Sequence, residues 1–437
     1  MSAEQQIRPK VRDAILQSVR AGVVPRIGQQ HIQVGRVAEV QALIKDIDRV
    51  ADGGSAVRFV VGSYGSGKTF FLNLIRSIAL EKKLVVASAD LGPDRRLHAS
   101  SGQARSLYQE LTRNLATRAR PEGGAMSSLV ERFVTQTLQE ARQHGTAPQV
   151  LIQDRLQRLT ELVGGYDFAE VIGAYWRAHD TGNDQLKAAA IRWLRGEYST
   201  KTDARAALGV RTIVDDTNVY DQLKLLALFT RLSGYGGLLV SLDEMVNLFK
   251  LGSGVARKSN YEQVLRILND CLQGSADGLG FLFGATPELV YDTRRGLYSY
   301  EALQSRLAQN RFATGGLVDY SNPLVTLDCL SPEDLFVLLN KLCTIHASAN
   351  DGVLLIPEQG IVGFLEHCNT RVGEAYFRTP RNTIKAFVDL LEVLAQNPEV
   401  RWMDLLPGLQ LTADDGVALD QEVEPADEDD ELASFRI

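Results

Sequence analysis

Eight consecutive residues, Gly62-Ser63-Tyr64-Gly65-Ser66-Gly67-Lys68-Thr69, follow the spacing G-x-x-x-x-G-K-T. That spacing suits one kind of chemistry, the holding of phosphate. Its glycines let backbone N–H groups turn inward around an anion. Lys68 is then placed to reach the β and γ phosphates of ATP, and the Thr69 hydroxyl to ligate Mg²⁺. Much farther along, the apolar run 238–242 ends in Asp243 and Glu244. Asp243 is suited to hold Mg²⁺, directly or through its water, and Glu244 to polarise the water that attacks the γ-phosphate. An apolar run ending in Asp-Glu is by itself also an ordinary strand end. The upstream phosphate loop decides between these readings.

Thr286 follows a second apolar run, 279–285, and suits two roles: contact with the γ-phosphate or its attacking water, and N-cap of a helix opening at Pro287. Arginines matter because a guanidinium neutralises charge that develops on a transferred phosphoryl group. Arg294, Arg295, Arg306 and Arg311 follow the same run, where a neighbouring subunit's nucleotide is within reach, although Arg306 and Arg311 also read as surface residues of a helix. Arg381, in Thr379-Pro380-Arg381-Asn382, opens a helix from which it can swing onto the phosphates. An ordinary surface arginine is the other reading.

These groups need elements to position them. The run 57–61 is short, apolar and β-branched between Gly-rich stretches, as suits a central strand of a parallel sheet. A helix is expected over 68–81, and further strands over 84–90, 238–242 and 279–285. Between them, from about 95 to 235, patterns such as ARSLYQELTRNLATRA and FAEVIGAYWRAH are helical. From Ser331, an N-cap followed by a Pro at the first helical position, the chain is helical again to about Pro398. The fold class expected is therefore α/β, a P-loop NTPase parallel sheet with a large helical insertion and a C-terminal helical lid. Its boundaries divide an N-terminal helical segment (1–50), a core (51–95 and 236–330), an insertion (96–235), a lid (331–400) and a final segment with an acidic tail (401–437).

With 437 residues the chain exceeds one ordinary core. An apolar content of 45% and a charged content of 23% place it among folded globular proteins. No apolar run is long enough to span a membrane and the N-terminus lacks a secretory core, so the expected location is the cytoplasm. Cys271, Cys329, Cys343 and Cys368 form neither a CxxC nor a metal-ligand pattern and read as reduced, mostly buried small hydrophobes. The net charge is −7, but residues 414–431 hold ten carboxylates and no Lys or Arg, so the remainder carries about +3. That value neither demands nor forbids nucleic acid. The tail reads as disordered and solubilising, with mimicry of nucleic acid as the sharper alternative.

Taken together, Gly35-Arg36, the loop 62–69, Asp243-Glu244, Thr286 and Arg381 resemble the AAA+ class, with Thr286 and Arg381 in the places of its two sensors. Within that class the layout is similar to the origin-recognition and helicase-loader branch and its STAND relatives. That likeness implies that His31-Ile32-Gln33-Val34-Gly35-Arg36 lines an adenine pocket, adding Gly35 and Arg36 to the nucleotide contacts. The insertion of more than a hundred residues departs from the class and puts a simple ring in doubt. A closer resemblance, over about residues 8–407, is to the ATP-binding proteins of BREX-type phage-defence loci. It is carried by Asp90-Leu91-Gly92-Pro93-Asp94-Arg95-Arg96-Leu97-His98, by Phe70-Phe71 after the loop, of which Phe70 is assigned to the nucleotide, and by FRTPRNTIKAFVDLL at 377–391.

That resemblance implies an ATPase that works with a helicase or another DNA-processing protein in phage defence, possible homo-oligomers included. Three functions stay open on the residues alone. The first is a switch or motor whose ATP hydrolysis moves the lid and controls a partner on DNA. The second is a scaffold that assembles on ATP and hydrolyses little, against which an intact Glu244 argues mildly. The third, a phosphotransferase, lacks an acceptor constellation. Basic residues in RPKVR, RLHASSGQAR and 378–383 suit non-specific DNA contact through phosphates or, equally, a solvated face.

Overall fold

A computed structural model describes residues 7–313, 317–349, 352–378 and 380–409; the acidic tail lies outside them. Five strands, β1 (Ala56–Val61), β2 (Val85–Asp90), β3 (Leu238–Asp243), β4 (Leu279–Ala285) and β5 (Leu324–Thr326), form one parallel sheet ordered β2-β3-β4-β1-β5. β1, β3 and β4 are buried along their whole length, which is why they read as largely apolar runs rather than alternating ones. β4 lies between the strand that leads into the phosphate loop and the strand that ends in Asp243. The expected strands agree with β1 to β4 to within a residue at each end. β5 has only three residues and pairs with β1 alone, too short for its sequence pattern to register.

The two faces of the sheet carry separate cores. On one, Phe59 and Phe283, in register on β1 and β4, stack with ring centroids 4.8 Å apart, a contact worth about 0.5–1.5 kcal/mol beyond area burial. This core continues without a break into the helices of residues 103–232, where Phe133, Phe168, Trp193 and Phe229 are fully buried. The inserted helices are thus fastened to the sheet by its largest apolar cluster. On the other face, the helices Val37–Ala51 and Lys68–Glu81 bury Leu43, Ile47, Phe71 and Ile75.

Arg58 breaks the apolar run of β1, and the fold compensates it. Its side chain is 8% exposed and donates to the 6%-exposed carboxylate of Asp46 at 2.5 and 3.2 Å and to the Asn322 carbonyl. The ion pair ties the Val37–Ala51 helix and the segment before β5 to the strand that feeds the phosphate loop.

The C-terminal helices Pro332–Ala347, Glu358–Val372 and Arg381–Gln396 form a third core with Phe364 and Phe387 at its centre. Ile15 and Leu16 of the N-terminal helix Pro9–Arg20 enter this core, and Arg20 pairs with Asp389 at 2.7 Å. The Pro332–Ala347 helix opens with a full capping box between Ser331 and Asp334. Among the described residues no helix is long and apolar enough to cross a membrane. Cys271, Cys343 and Cys368 are buried free thiols, and burial pushes each up to about 12.

Candidate functional site

The site lies where β1, β3, β4 and β2 reach their C-terminal ends, as ligand crevices of open parallel sheets do. Residues 62–67 join β1 to the Lys68–Glu81 helix, so the loop sits at a helix N-terminus with its unpaired N–H groups and positive dipole end. Gly62 has to be glycine: an added Cβ would stand 2.3 Å from Ser66 Oγ and 3.2 Å from the Leu327 carbonyl. Ser66 is 1% exposed, and its hydroxyl has no hydrogen-bond partner among the described residues. Ser63, Tyr64 and Gly65 face solvent.

Lys68 Nζ donates to the carbonyls of Gly62 and Ser63 at 2.7 and 2.9 Å, so its ammonium lies inside the loop that it closes. Burial lowers its pKa, and the nearby Asp243, Glu244 and Glu288 oppose that shift. Thr69 Oγ1 donates to Asp243 Oδ2 at 2.9 Å, joining the two residues expected at a metal across 174 positions of chain. The other Asp243 oxygen, Oδ1, accepts the Glu244 N–H at 2.8 Å. Glu244 holds a left-handed φ of 56°, a conformation costing a non-glycine residue about 1–3 kcal/mol, of the kind that gathers at functional sites.

Two contributors escape sequence reasoning. Asp90, the last residue of β2, stands in register with Asp243. Burial, then Asp243, raise its pKa. Glu244 is raised by loss of hydration, then by Asp243 and Asp90, with Lys68 acting the other way. Asp90, Asp243 and Glu244 thus stand close enough for their charges to act on one another, with Lys68 and Lys250 opposing the shift at Glu244. Gly284 of β4 is the second: a Cβ there would come within 2.2 Å of Asp243 Oδ1, so glycine makes the room in which that carboxylate meets Thr69. A glycine in a strand signals close approach, but the sequence does not say what approaches. Asn247 adds a tie, its amide donating to the carbonyls of Leu91 and Glu244 at 2.9 and 3.2 Å.

Thr286 follows β4 and caps the short Pro287–Tyr291 helix, its oxygen accepting from the Leu289 N–H at 3.4 Å. Arg381 reaches the loop from the C-terminal helices: its guanidinium stands 5.9 Å from the Tyr64 ring centroid, and its stem passes Gly22. Phe70 packs against the C-terminal core. Arg36 bridges the loop to the chain after β5, donating to the carbonyls of Ser66 and, at 3.1 Å, Asp328. Gly35 faces the Asp334 carboxylate. His31 lies on the short Gln29–Ile32 helix, which packs on both the Lys68–Glu81 and Pro332–Ala347 helices. The other arginines do not converge on the cleft: Arg306 is held by Asn269 and the Ala302 carbonyl, and Arg295 by the Phe249 and Leu251 carbonyls. Arg294 and Arg311 are exposed.

A hard divalent cation fits this donor set. The Thr69 hydroxyl and the Asp243 carboxylate already meet, and Asp90 stands beside them. Among the described residues no three acidic, His or Cys side chains form a closed cage. A hard cation of this kind takes one or two protein oxygens and completes its shell with phosphate and water.

No curated protein matches the chain. Residues 7–409 match the family described as the BREX system ATP-binding protein BrxC/D; the chain belongs to this family of ATP-binding phage-defence proteins.

Proposed function

We propose that the chain hydrolyses ATP with Mg²⁺ and uses the cycle to reposition its C-terminal helices, controlling a DNA-processing partner such as a helicase. Lys68 and the loop N–H groups hold the β and γ phosphates, while Thr69 and Asp243 hold the cation. The bound cation would neutralise phosphate charge. Glu244, ionised, orients a water and accepts its proton as that oxygen bonds to the γ-phosphorus and the β–γ bridging oxygen departs with ADP. Thr286 lies at the end of β4, between the phosphate loop and Glu244, and suits contact with the γ-phosphate or that water.

The observation that carries the reading is that one loop touches both the chemistry and the moving part. Lys68 closes on Gly62 and Ser63, while the adjacent Tyr64 lies under Arg381 of the C-terminal helices and Phe70 packs into their core. A nucleotide that draws Arg381 onto phosphate has to move this contact, so its presence is readable by a partner bound to those helices. Gly35 and Arg36 lie on the same side and suit the nucleoside end.

The test is ATP hydrolysis by the wild type and Glu244→Gln, with and without double-stranded DNA, alongside molar mass by light scattering in ATP. Turnover abolished in Glu244→Gln with ATP binding kept, and a wild-type rate raised by DNA or by assembly, is the expected result. ATP binding with no Glu244-dependent turnover under any condition refutes the motor reading and leaves an ATP-gated scaffold.

A further inference from the structure

The N-terminal helix belongs with the far end of the chain. Ile15, Leu16, Ile32 and Val34 pack with the C-terminal helices, whereas Val40 packs under the sheet; later, Leu327 belongs to the sheet core and Leu330 to the C-terminal one. Residues 9–32 and 332–396 therefore form one packed unit. The chain crosses from this unit to the sheet at 35–39 and back again at 328–329.

Both crossings meet at Arg36. It stands in the first, and its Nη2 donates to the Asp328 carbonyl in the second, at 3.1 Å, and to the Ser66 carbonyl of the phosphate loop. The backbone is bent to bring it there: Gly35 and Arg36 have left-handed φ of 60° and 57°, a conformation an arginine seldom takes. Lys341 of the Pro332–Ala347 helix adds a tie beside the first crossing, donating to the Gln33 carbonyl. Arg36 Nη1 lies against Gly67, where an added Cβ would stand 3.3 Å from it. In a trans peptide the C=O and N–H groups point opposite ways. A guanidinium that holds the Ser66 oxygen therefore turns the Gly67 N–H to the other side. Gly67 is the N-cap of the Lys68–Glu81 helix, whose first amides have no helical acceptor and suit an anion.

From these contacts we infer that Arg36 is a positioning residue with two effects. Acting from behind the loop, it presets the Gly67 N–H for phosphate. Through Asp328 it also makes the N- and C-terminal helices follow the loop together. Phosphate drawn onto the Gly67 N–H pulls on the Ser66–Gly67 peptide, and the guanidinium passes that displacement to both crossings at once. The inference deepens the reading above, on whose nucleotide-driven movement it rests, and adds residues 9–32 to the part that moves. It is separate from the Arg381–Tyr64 contact, which joins the C-terminal helices to the loop through side chains alone.

The test uses the full chain and the non-hydrolysable analogue AMP-PNP with Mg²⁺. Arg36→Met keeps an apolar stem and removes the donors, and Arg36→Ala removes both. A hydrogen bond from a charged donor is worth about ten-fold in affinity or more, so Arg36→Met should bind AMP-PNP at least about ten-fold more weakly, and Arg36→Ala little worse than that. Hydrogen exchange read by mass spectrometry follows the second effect. In the wild type, AMP-PNP should slow exchange in residues 62–69 and, together with them, in the Pro9–Arg20 and Glu358–Val372 helices. In Arg36→Met at saturating AMP-PNP, residues 62–69 should still be protected while both helices exchange as they do without nucleotide. Arg36→Met with wild-type affinity beside a weakened Arg36→Ala would show that the stem and not the guanidinium matters, and overturns the inference. So does a full helix response in Arg36→Met, or a wild type whose two helices do not respond together. Both readouts need only bound nucleotide: coupling lost in Arg36→Met, in a protein without Glu244-dependent turnover, would uphold Arg36 while the motor reading fell.

Discussion

Gly284→Ala is the sharpest probe of the cleft, because it adds one methyl group and no charge. Gly284 has no left-handed φ, so its backbone accepts alanine without strain. The new Cβ, however, would stand 2.2 Å from Asp243 Oδ1 and 3.0 Å from both Asp243 Cγ and Leu72 Cδ1. To restore ordinary contact the carboxylate has to retreat by about 1 Å, since overlaps of this size are not tolerated in a close-packed interior. Its hydrogen bonds to Thr69 at 2.9 Å and to the Glu244 N–H at 2.8 Å then lengthen past useful range. A misplacement of about 1 Å at a catalytic constellation costs about 100-fold in rate. Overpacking by a methyl costs about 1–3 kcal/mol of stability, offset by about 0.5–1 kcal/mol from replacing a strand glycine. The expected variant therefore melts within a few degrees of wild type, binds ATP through an untouched loop, and turns over about 100-fold more slowly with Mg²⁺. Steady-state ATP hydrolysis, fluorescent-nucleotide titration and thermal melting measure the three quantities. Turnover within three-fold of wild type would refute the claim that Asp243 is held in place by the space at Gly284.

On the proposed mechanism Glu244 must be ionised, and its raised pKa gives the rate a direction in pH: hydrolysis should fall on the acid side at a pH above the ordinary carboxylate value of 4.5. Asp90→Asn removes a like charge that raises Glu244 and should move that acid limb to lower pH; an unmoved limb in the pH–rate profile counts against Asp90 as part of the cleft. Since the folded state also raises Asp90, its ionisation costs stability as pH rises through the folded value. Without Mg²⁺, Asp90→Asn should accordingly melt higher than wild type at neutral pH, with the gain gone below the unfolded value of 3.8. For the buried pair, Asp46→Ala strands the Arg58 guanidinium and should cost about 3–5 kcal/mol in urea unfolding, whereas Asp46→Leu with Arg58→Met should cost far less. A single variant costing under about 1 kcal/mol would show the pair to be hydrated. Arg381→Ala should slow turnover with little change in melting temperature, since its stacking over Tyr64 is worth only about 0.5–1 kcal/mol; an unchanged rate would leave Arg381 a surface residue.

What the linear chain determined by itself is the part that local rules write. A phosphate loop must turn within eight residues and open a helix, so Gly62 to Thr69 are legible without any partner. A strand buried on both faces is mostly apolar rather than alternating, which makes β1, β3 and β4 readable and places Asp243 and Glu244 at the C-terminal end of β3. Ser331 with its proline announces a helix for the same local reason. Only the tertiary structure decided the rest. Strand order lies in the hydrogen bonds between segments as distant as β2 and β3, and it alone brings Asp90 beside Asp243. The role of Gly284 exists only because β3 and β4 are neighbours, and Arg58 is comprehensible only once Asp46 has been folded against it. Likewise, no periodicity marks Arg381 as lying over Tyr64, since that pairing depends on segments that meet only when separate apolar faces are buried together. Short-range sterics and burial patterns are written along the chain, whereas the convergence of charges is a property of packing between residues that have no sequence relation to one another.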